Sequence, residues 1–165
     1  METFLVVGLG NPGSRYANTR HNAGTDFVHM LCEKYDVELT EKKKYKASIG
    51  KFLLKDMEVI LSIPTLFMNQ SGKSVALTVR GENIKLKNLL VVHDDLDLPP
   101  GVSKLKFSGG DGGHNGLKDI MQSLSGKKDF KRLRIGIGHP GDTKKVNSFV
   151  CLLYTSPSPR DNSGS

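Results

Sequence analysis

Residues 89–101 read LLVVHDDLDLPPG, and they are the strongest indication of the fold class. The first four residues form an unbroken apolar run, which is typical of a strand buried on both faces of a largely parallel sheet. The Pro-Pro-Gly sequence that ends the stretch predicts a turn. His93, Asp94 and Asp95 therefore stand at the carboxyl end of a buried strand, which is where α/β sheets bind their ligands.

Strands and helices alternate along the rest of the chain. Apolar or alternating patterns predict strands over residues 3–7, 45–54, 57–63, 102–107 and 132–137, with a hairpin turn at Lys55-Asp56. Apolar residues at helical spacing predict helices over residues 22–35, 68–80 and 115–124. The predicted fold is α/β, a single domain with a mixed central β-sheet flanked by helices on both faces.

The length of 165 residues suits one domain with a hydrophobic core. We assign residues 1–150 to that domain. Residues 151–165, CLLYTSPSPRDNSGS, are rich in Ser and Pro, and we expect them to form a disordered tail.

The chain is basic, with 24 Lys and Arg against 17 Asp and Glu and a net charge of +7. Such an excess suggests a polyanionic partner, although lysine runs that merely face solvent are the alternative. The cations cluster at Lys42, Lys43, Lys44 and Lys46, at Lys104 and Lys106, at Lys127, Lys128, Lys131, Arg132 and Arg134, and at Lys144 and Lys145.

The expected location is the cytoplasm. No apolar run approaches the roughly 20 residues that cross a bilayer, and the first residues lack the features of a signal peptide. Cys32 and Cys151 form no Cys-x-x-Cys pair, which favours a reducing compartment.

Polar residues stand in Gly-rich or turn-rich segments where no structural purpose is evident. They are Asn11, His21, Asn69, Asp94, His114 and Asn115. A His that activates water, an acid that orients it and amides that stabilise an oxyanion are the parts of a hydrolase. His21 with Asp94 or Asp95 supplies the first two parts, and the other acid of that pair is expected to serve the turn.

Other kinds of site fit the sequence less well. The GLGNPG stretch at 8–13 matches G-x-G-x-x-G, but the next helix begins too late for a dinucleotide fold. A metal site built from His93, Asp94, Asp97 and His114 lacks a His-Glu-x-x-His motif. No G-x-S-x-G motif is present, and neither Cys stands near a predicted base. We therefore expect activated water, with no metal and no cofactor.

At these residues the chain resembles the bacterial peptidyl-tRNA hydrolase family. The matching stretches run in family order across roughly residues 3–150. They are VVGLGNPGSRYANTRHNAG at 6–24, PTLFMNQSG at 64–72, LLVVHDDLDLPPG at 89–101, KLKFSGGDGGHNGLKDI at 104–120 and FKRLRIGIGHPG at 130–141.

The resemblance implies hydrolysis of the ester between a peptide, or an N-blocked aminoacyl group, and the 3′ end of tRNA. His21 matches the general base, Asp94 the acid that holds it, and Asn11 the residue that helps to distinguish blocked from free aminoacyl-tRNA. Positions that match contacts to the tRNA end or the peptide, or that line the same cleft, are Tyr16, Phe67, Met68, Asn69, Gly112, His114 and Asn115.

The expected partner is peptidyl-tRNA, bound at its acceptor end and 3′ terminus by a monomer. Lys104, Lys106 and Arg134 are candidates to hold acceptor-stem phosphates. The tail departs from the family pattern, which continues into a further helix, and we expect a domain that is incomplete at its C-terminus. Two alternatives stay open: a non-catalytic RNA-binding module, and an inactive truncated remnant.

Overall fold

The computed structural model describes residues 1–11, 22–136 and residue 153. Within these residues the strands are β1 (Glu2–Gly8), β2 (Thr40–Lys42), β3 (Ala47–Leu54), β4 (Met57–Pro64), β5 (Leu89–Asp95), β6 (Ser103–Phe107) and β7 (Lys131–Gly136). The helices are α1 (Ala23–Tyr35), α2 (Ser71–Gly81) and α3 (Asn115–Ser123), with short 3₁₀ turns at Met68–Gln70 and Leu86–Asn88. No helix in this part of the chain is long and apolar enough to cross a bilayer.

The strands form one sheet in the order β2-β3-β4-β1-β5-β7-β6. β1 runs parallel to β4 and β5, and β5 runs parallel to β7. The strand pairs β2–β3, β3–β4 and β6–β7 are antiparallel. The predicted mixed sheet is therefore confirmed.

The edge strand β2 was not predicted from the sequence. Its three residues, Thr40 to Lys42, are polar and exposed, so they give no apolar pattern. Hydrogen bonding to β3, with Thr40 opposite Ile49 and Lys42 opposite Ala47, is what makes the segment a strand.

Helix α1 covers one face of the sheet and buries Phe27, Val28 and Leu31. It approaches β1 and β5 closely because its second residue is glycine. A Cβ atom on Gly24 would lie 2.2 Å from the carbonyl oxygen of Val92. Leu153 is buried in the core on this face, although the sequence predicted residues 151–165 as a tail.

Helices α2 and α3 cover the other face and pack against each other. Gly72 in α2 permits this contact, because a Cβ atom there would lie 2.3 Å from the carbonyl oxygen of Asp119. The Gly72 N–H also donates to Oδ2 of Asp119 at 2.7 Å. The prediction of helices on both faces is therefore confirmed. The carboxyl ends of β1 and β5 are not covered by these helices and lie beside the loops that precede α2 and α3.

Candidate active site

The buried Asp94 and the partly buried His114 form the centre of the candidate site. Asp94 lies near the carboxyl end of β5, and His114 immediately precedes α3. His114 Nε2 lies 2.8 Å from Asp94 Oδ1, and the two side chains are 11% and 3% exposed. A hydrogen bond to a carboxylate in such a buried position is strong and fixes both groups.

The hydrogen bonds of His114 define its tautomer. Its Nδ1 atom accepts from the N–H groups of Gly116 and Leu117 at 3.1 and 3.3 Å, so His114 is the N-cap of α3. Because Nδ1 is an acceptor, the ring proton lies on Nε2 and is donated to Asp94. His114 therefore positions Asp94.

A second imidazole, that of His93, supports this pair from within the sheet. The ring is 4% exposed, and its Nδ1 lies 2.7 Å from the backbone oxygen of Asp94. The rings of His93 and His114 meet edge to face, with their centroids 4.8 Å apart. Burial, with a further contribution from His114, lowers the pKa of His93 to about 4, so this ring is neutral at physiological pH.

Asp95 stabilises the turn that follows β5 and pairs with the guanidinium of Arg134. Its Oδ1 accepts from the Asp97 N–H at 2.8 Å, and its Oδ2 accepts from Arg134 Nε at 2.6 Å. Burial opposes ionisation of Asp95, but the hydrogen bonds from Arg134 and Asp97 outweigh it and lower the pKa of this carboxyl. Of the two acids that the sequence left open, Asp94 faces His114 and Asp95 is the turn acid.

Asn11 connects the end of β1 to the segment before α2. Its Oδ1 accepts from the Met68 N–H at 2.8 Å, and its own N–H donates to Asn22 Oδ1 at 3.2 Å. The oxygen of the Asn11 amide is thereby assigned, because only an acceptor can face the Met68 N–H. The Nδ2 amino group is the part of this side chain that remains for a ligand.

Two clefts adjoin at these residues. The first, here the acid cleft, has a volume of about 380 Å³ and contains Asp94 and His114; it is also lined by Met68, His93, Asp95, Leu96, Asp97, Lys106, Gly110, Asp111, Gly112, Gly113, Asn115, Leu117, Arg132 and Arg134. The second, here the amide cleft, has a volume of about 500 Å³ and is lined by Asn11, Phe67, Met68, Asn69, Gln70 and Asn115. Met68 and Asn115 line both, so the clefts are continuous.

Arg132 is buried, although the sequence grouped it with the clustered cations that suggested a polyanionic partner. It is 1% exposed, and its NH1 group donates to the carbonyls of Gly109 and Gly110, both at 2.8 Å. Burial lowers the pKa of Arg132 to about 10. Strand alternation puts Leu133 on the opposite face of β7 from Arg132, but it does not show that the glycine loop covers the face of Arg132. Lys131, from the same cluster of cations, is 8% exposed.

The three predicted phosphate-binding cations lie in different environments. Lys106 lines the acid cleft, where burial, Arg134 and Arg132 lower its pKa. Arg134 lines the same cleft but is paired with Asp95. Lys104 is exposed, pairs in register with Arg134 and lines neither cleft.

The structure thus brings together most of the site residues predicted from sequence. His21 and Tyr16 lie outside the described residues. The contact between His114 and Asp94, the support from His93 and the role of Arg132 were not predicted, because each depends on contacts between distant parts of the chain. The one sequence signal was the position of His114 directly before a helix, which is where a cap belongs.

A family model described as peptidyl-tRNA hydrolase matches residues 5–158. The chain belongs to the peptidyl-tRNA hydrolase family. This confirms the resemblance drawn from the five sequence motifs.

Named peptidyl-tRNA hydrolases from several bacteria are similar to this chain. That of Pseudomonas putida is 56% identical over 146 residues, which cover 88% of this chain and 75% of the relative. That of Mannheimia succiniciproducens is 49% identical over 162 residues, which cover 98% of this chain and 82% of the relative.

The fold is also that of solved peptidyl-tRNA hydrolases. The crystal structure of the enzyme from Acinetobacter baumannii matches with a TM-score of 0.78 and 44% identity, covering 94% of this chain and 77% of that one. A Thermoplasma acidophilum protein with unknown function shares the fold alone, at a TM-score of 0.54 and 8% identity.

Proposed function

We propose that this protein hydrolyses the ester bond that joins a peptide, or an N-blocked aminoacyl group, to the 3′ end of tRNA. Membership of the peptidyl-tRNA hydrolase family supports this reaction. The observation that carries it is the buried Asp94–His114 pair, which opens onto a cleft lined by three asparagines. An ester is an activated acyl group, so a base and well-placed donors are sufficient to cleave it.

In this proposal His21 removes a proton from water, and Asp94 orients the imidazole of His21. Support comes from Asn22, the next residue along the chain, which is buried beside Asn11 in the site. A carboxylate can accept hydrogen bonds at both oxygens, so the bond from His114 is compatible with this role. His114 fixes the direction in which Asp94 points.

Asn69 and Asn115 are proposed to stabilise the oxyanion that forms when water attacks the ester. Both side chains are exposed in the amide cleft, and an amide NH₂ group supplies hydrogen-bond donors without a proton transfer. Donors fixed before the reaction are effective because they need no reorganisation as charge develops.

Asn11 is proposed to select N-blocked substrates. Its oxygen is held by the Met68 N–H, so its amino group faces the ligand as a donor. A donor can pair with the carbonyl of a blocked amino group, whereas a free α-ammonium is itself only a donor. The free aminoacyl ester therefore loses this hydrogen bond and must desolvate a charge.

The remaining predicted contacts are assigned to the nucleic acid and the peptide. Phe67 is 53% exposed at the amide cleft, and an aromatic face in that position suits a base or a peptide side chain. Lys104 and Lys106 are proposed to hold acceptor-stem phosphates. Arg134 acts with them less strongly, because Asp95 already neutralises it.

The test is release of N-acetylated amino acid from N-acetyl-aminoacyl-tRNA by the parent chain and by Asp94→Asn. We expect kcat to fall by about 100-fold or more in the variant, because the base loses the charge that orients it. Asp36→Asn is the matched control, since this acid lies exposed at the end of α1 and lines neither cleft, and its kcat should stay near the parent value. Binding of tRNA by a parent chain that released no product would favour a non-catalytic RNA-binding module.

A further inference from the structure

Five lysines lie together at the end of the sheet that bears the clefts, where the parallel strands have their carboxyl ends. Lys42 is the last residue of β2, Lys43, Lys44 and Lys46 lie in the connection between β2 and β3, and Lys73 belongs to α2. Because β3 runs antiparallel to β4, this connection lies at the carboxyl end of β4, beside the carboxyl end of β1. We call these five residues the lysine rim.

The lysine rim is continuous with the amide cleft. The Thr65 N–H donates to the backbone oxygen of Lys46 at 2.9 Å, which joins the rim to the segment that leads into Phe67. Lys46 and Lys73 line a hollow of about 280 Å³ together with Gln70. Gln70 also lines the amide cleft, so a ligand that leaves this cleft at Gln70 meets the two lysines next.

The rim is held in place by Tyr45. This side chain is 6% exposed, and its hydroxyl donates to Glu82 at 2.5 Å. Lys44 Nζ lies over the Tyr45 ring, 4.8 Å from its centroid. Backbone hydrogen bonds from the Tyr45 N–H to the Lys42 oxygen and from the Lys46 N–H to the Lys43 oxygen close the turn between β2 and β3. An anchored turn loses little conformational freedom when it binds a ligand.

The charge of the rim is largely unbalanced. Among the described residues, Lys43, Lys46 and Lys73 form no salt bridge. Asp119 lines the same hollow, but its carboxylate also accepts the Gly72 N–H. The strand order places the rim near one edge of the sheet and Lys104 and Lys106 at the other. A polyanion in the clefts therefore meets positive charge on both sides.

We propose that the lysine rim is a second phosphate-binding surface, which contacts the sugar–phosphate backbone of the RNA substrate on the side of the cleft opposite Lys104 and Lys106. This inference rests on the proposed function, since it assigns the rim to the same tRNA substrate. The half-exposed ring of Phe67 lies between the two cationic surfaces, and a basic groove with an aromatic platform is the usual arrangement for binding a single strand.

The experiment compares a rim variant with a variant of equal charge. Lys43→Gln, Lys46→Gln and Lys73→Gln are combined in the first. Lys55→Gln, Lys85→Gln and Lys87→Gln are combined in the second. These exposed lysines precede β4 and β5, so they lie at the end of the sheet where the parallel strands begin, opposite the clefts. Binding of deacylated tRNA is measured from about 0.05 to 0.2 M salt, and hydrolysis of N-acetyl-aminoacyl-tRNA is measured alongside.

The rim variant is expected to bind tRNA at least about tenfold more weakly at the lowest salt. The slope of the logarithm of its binding constant against the logarithm of the salt concentration should be smaller in magnitude by about 2 to 3. Its kcat at saturating substrate should match that of the parent chain. The control variant should retain most of the parent chain's affinity for tRNA and most of the dependence of that affinity on salt. Equal loss in both variants, loss in neither, or no tRNA binding by the parent would overturn the inference. Failure of the proposed function would show separately, as a parent chain that binds tRNA without cleaving its ester.

Discussion

His114 is the residue whose surroundings say most about the site. One ring nitrogen caps α3 and the other donates to Asp94, so a single side chain ties the start of a helix to the end of a strand. The two roles can be separated by mutation, because asparagine is a good N-cap but has a shorter side chain.

We expect His114→Asn to keep α3 capped and His114→Ala to lose the cap, which is a difference of about 1 kcal/mol in the free energy of unfolding. Both variants should lose on the order of tenfold or more in kcat, because Asp94 is no longer fixed in direction. Urea unfolding and hydrolysis of N-acetyl-aminoacyl-tRNA measure the two effects. Parent-like kcat in His114→Asn would show that His114 is only a cap.

His93 makes the stability of the protein sensitive to mild acid. Its pKa is about 4 when folded, against an ordinary value of 6.5, so the unfolded chain binds the proton more readily as pH falls through this window. Protonation of His93 therefore leaves the free energy of unfolding unchanged above pH 6.5 and lowers it progressively down to about pH 4. The groups that face the ring, His114, Asp94 and Asp95, are unchanged in a His93 variant.

We expect the parent chain to lose roughly 2 kcal/mol more than His93→Leu when the pH is lowered from about 7.5 to 5. The difference between the two proteins isolates His93, because their other titrating groups are the same. Urea unfolding at both pH values measures it. Identical pH dependence in parent and variant would mean that His93 is not held neutral by burial.

Sequence alone identified single residues better than their partners. Asp94 was predicted to matter, because an acid at the end of a buried strand has little reason to be there otherwise. That it pairs with His114, while Asp95 pairs with Arg134, depends on which way two neighbouring side chains of one strand point. The burial of Arg132 was not predicted, because periodicity distinguishes the two faces of a strand but does not show what covers them.

At the scale of elements, glycines set how closely the layers approach. Gly24 places α1 against β1 and β5, since a Cβ atom would meet the Val92 oxygen at 2.2 Å and the Leu9 nitrogen at 2.5 Å. Both neighbours are backbone atoms and cannot turn aside. The packing of α1 therefore requires a residue without a side chain at this position.

We expect Gly24→Ala to lower the free energy of unfolding by about 1 to 3 kcal/mol, the usual cost of overpacking. Gly110→Ala is the control, because a Cβ atom there would have no neighbour within 4 Å. Thermal unfolding of both variants tests the contact. Equal melting temperatures for the two proteins would contradict the close approach of α1 to the sheet.

Elements with strong apolar patterns were predicted well, and those without such patterns were not. The run from Leu89 to Val92 and the hairpin at Lys55-Asp56 gave strands that the structure confirms. β2 was missed because three polar, exposed residues carry no pattern, and only their pairing with β3 defines the strand.

At the scale of the whole molecule, the sheet gathers residues from distant motifs at one end. Asn11 follows β1, Asp94 lies near the end of β5 and His114 immediately precedes α3, yet all three line two adjoining clefts. The α/β class was predictable from alternating strands and helices. The order of the strands was not, because sequence patterns show which segments are strands but not which ones pair.

The central claim is that this chain cleaves peptidyl-tRNA through water activated by His21. The most direct measurement is the rate at which N-acetylated amino acid is released from N-acetyl-aminoacyl-tRNA by the parent chain, by His21→Ala and by His29→Ala. His29 is exposed on α1 and serves as the matched control. We predict that the parent and His29→Ala cleave at similar rates and that His21→Ala is slower by about 100-fold or more. Near-parent cleavage by His21→Ala would contradict the account.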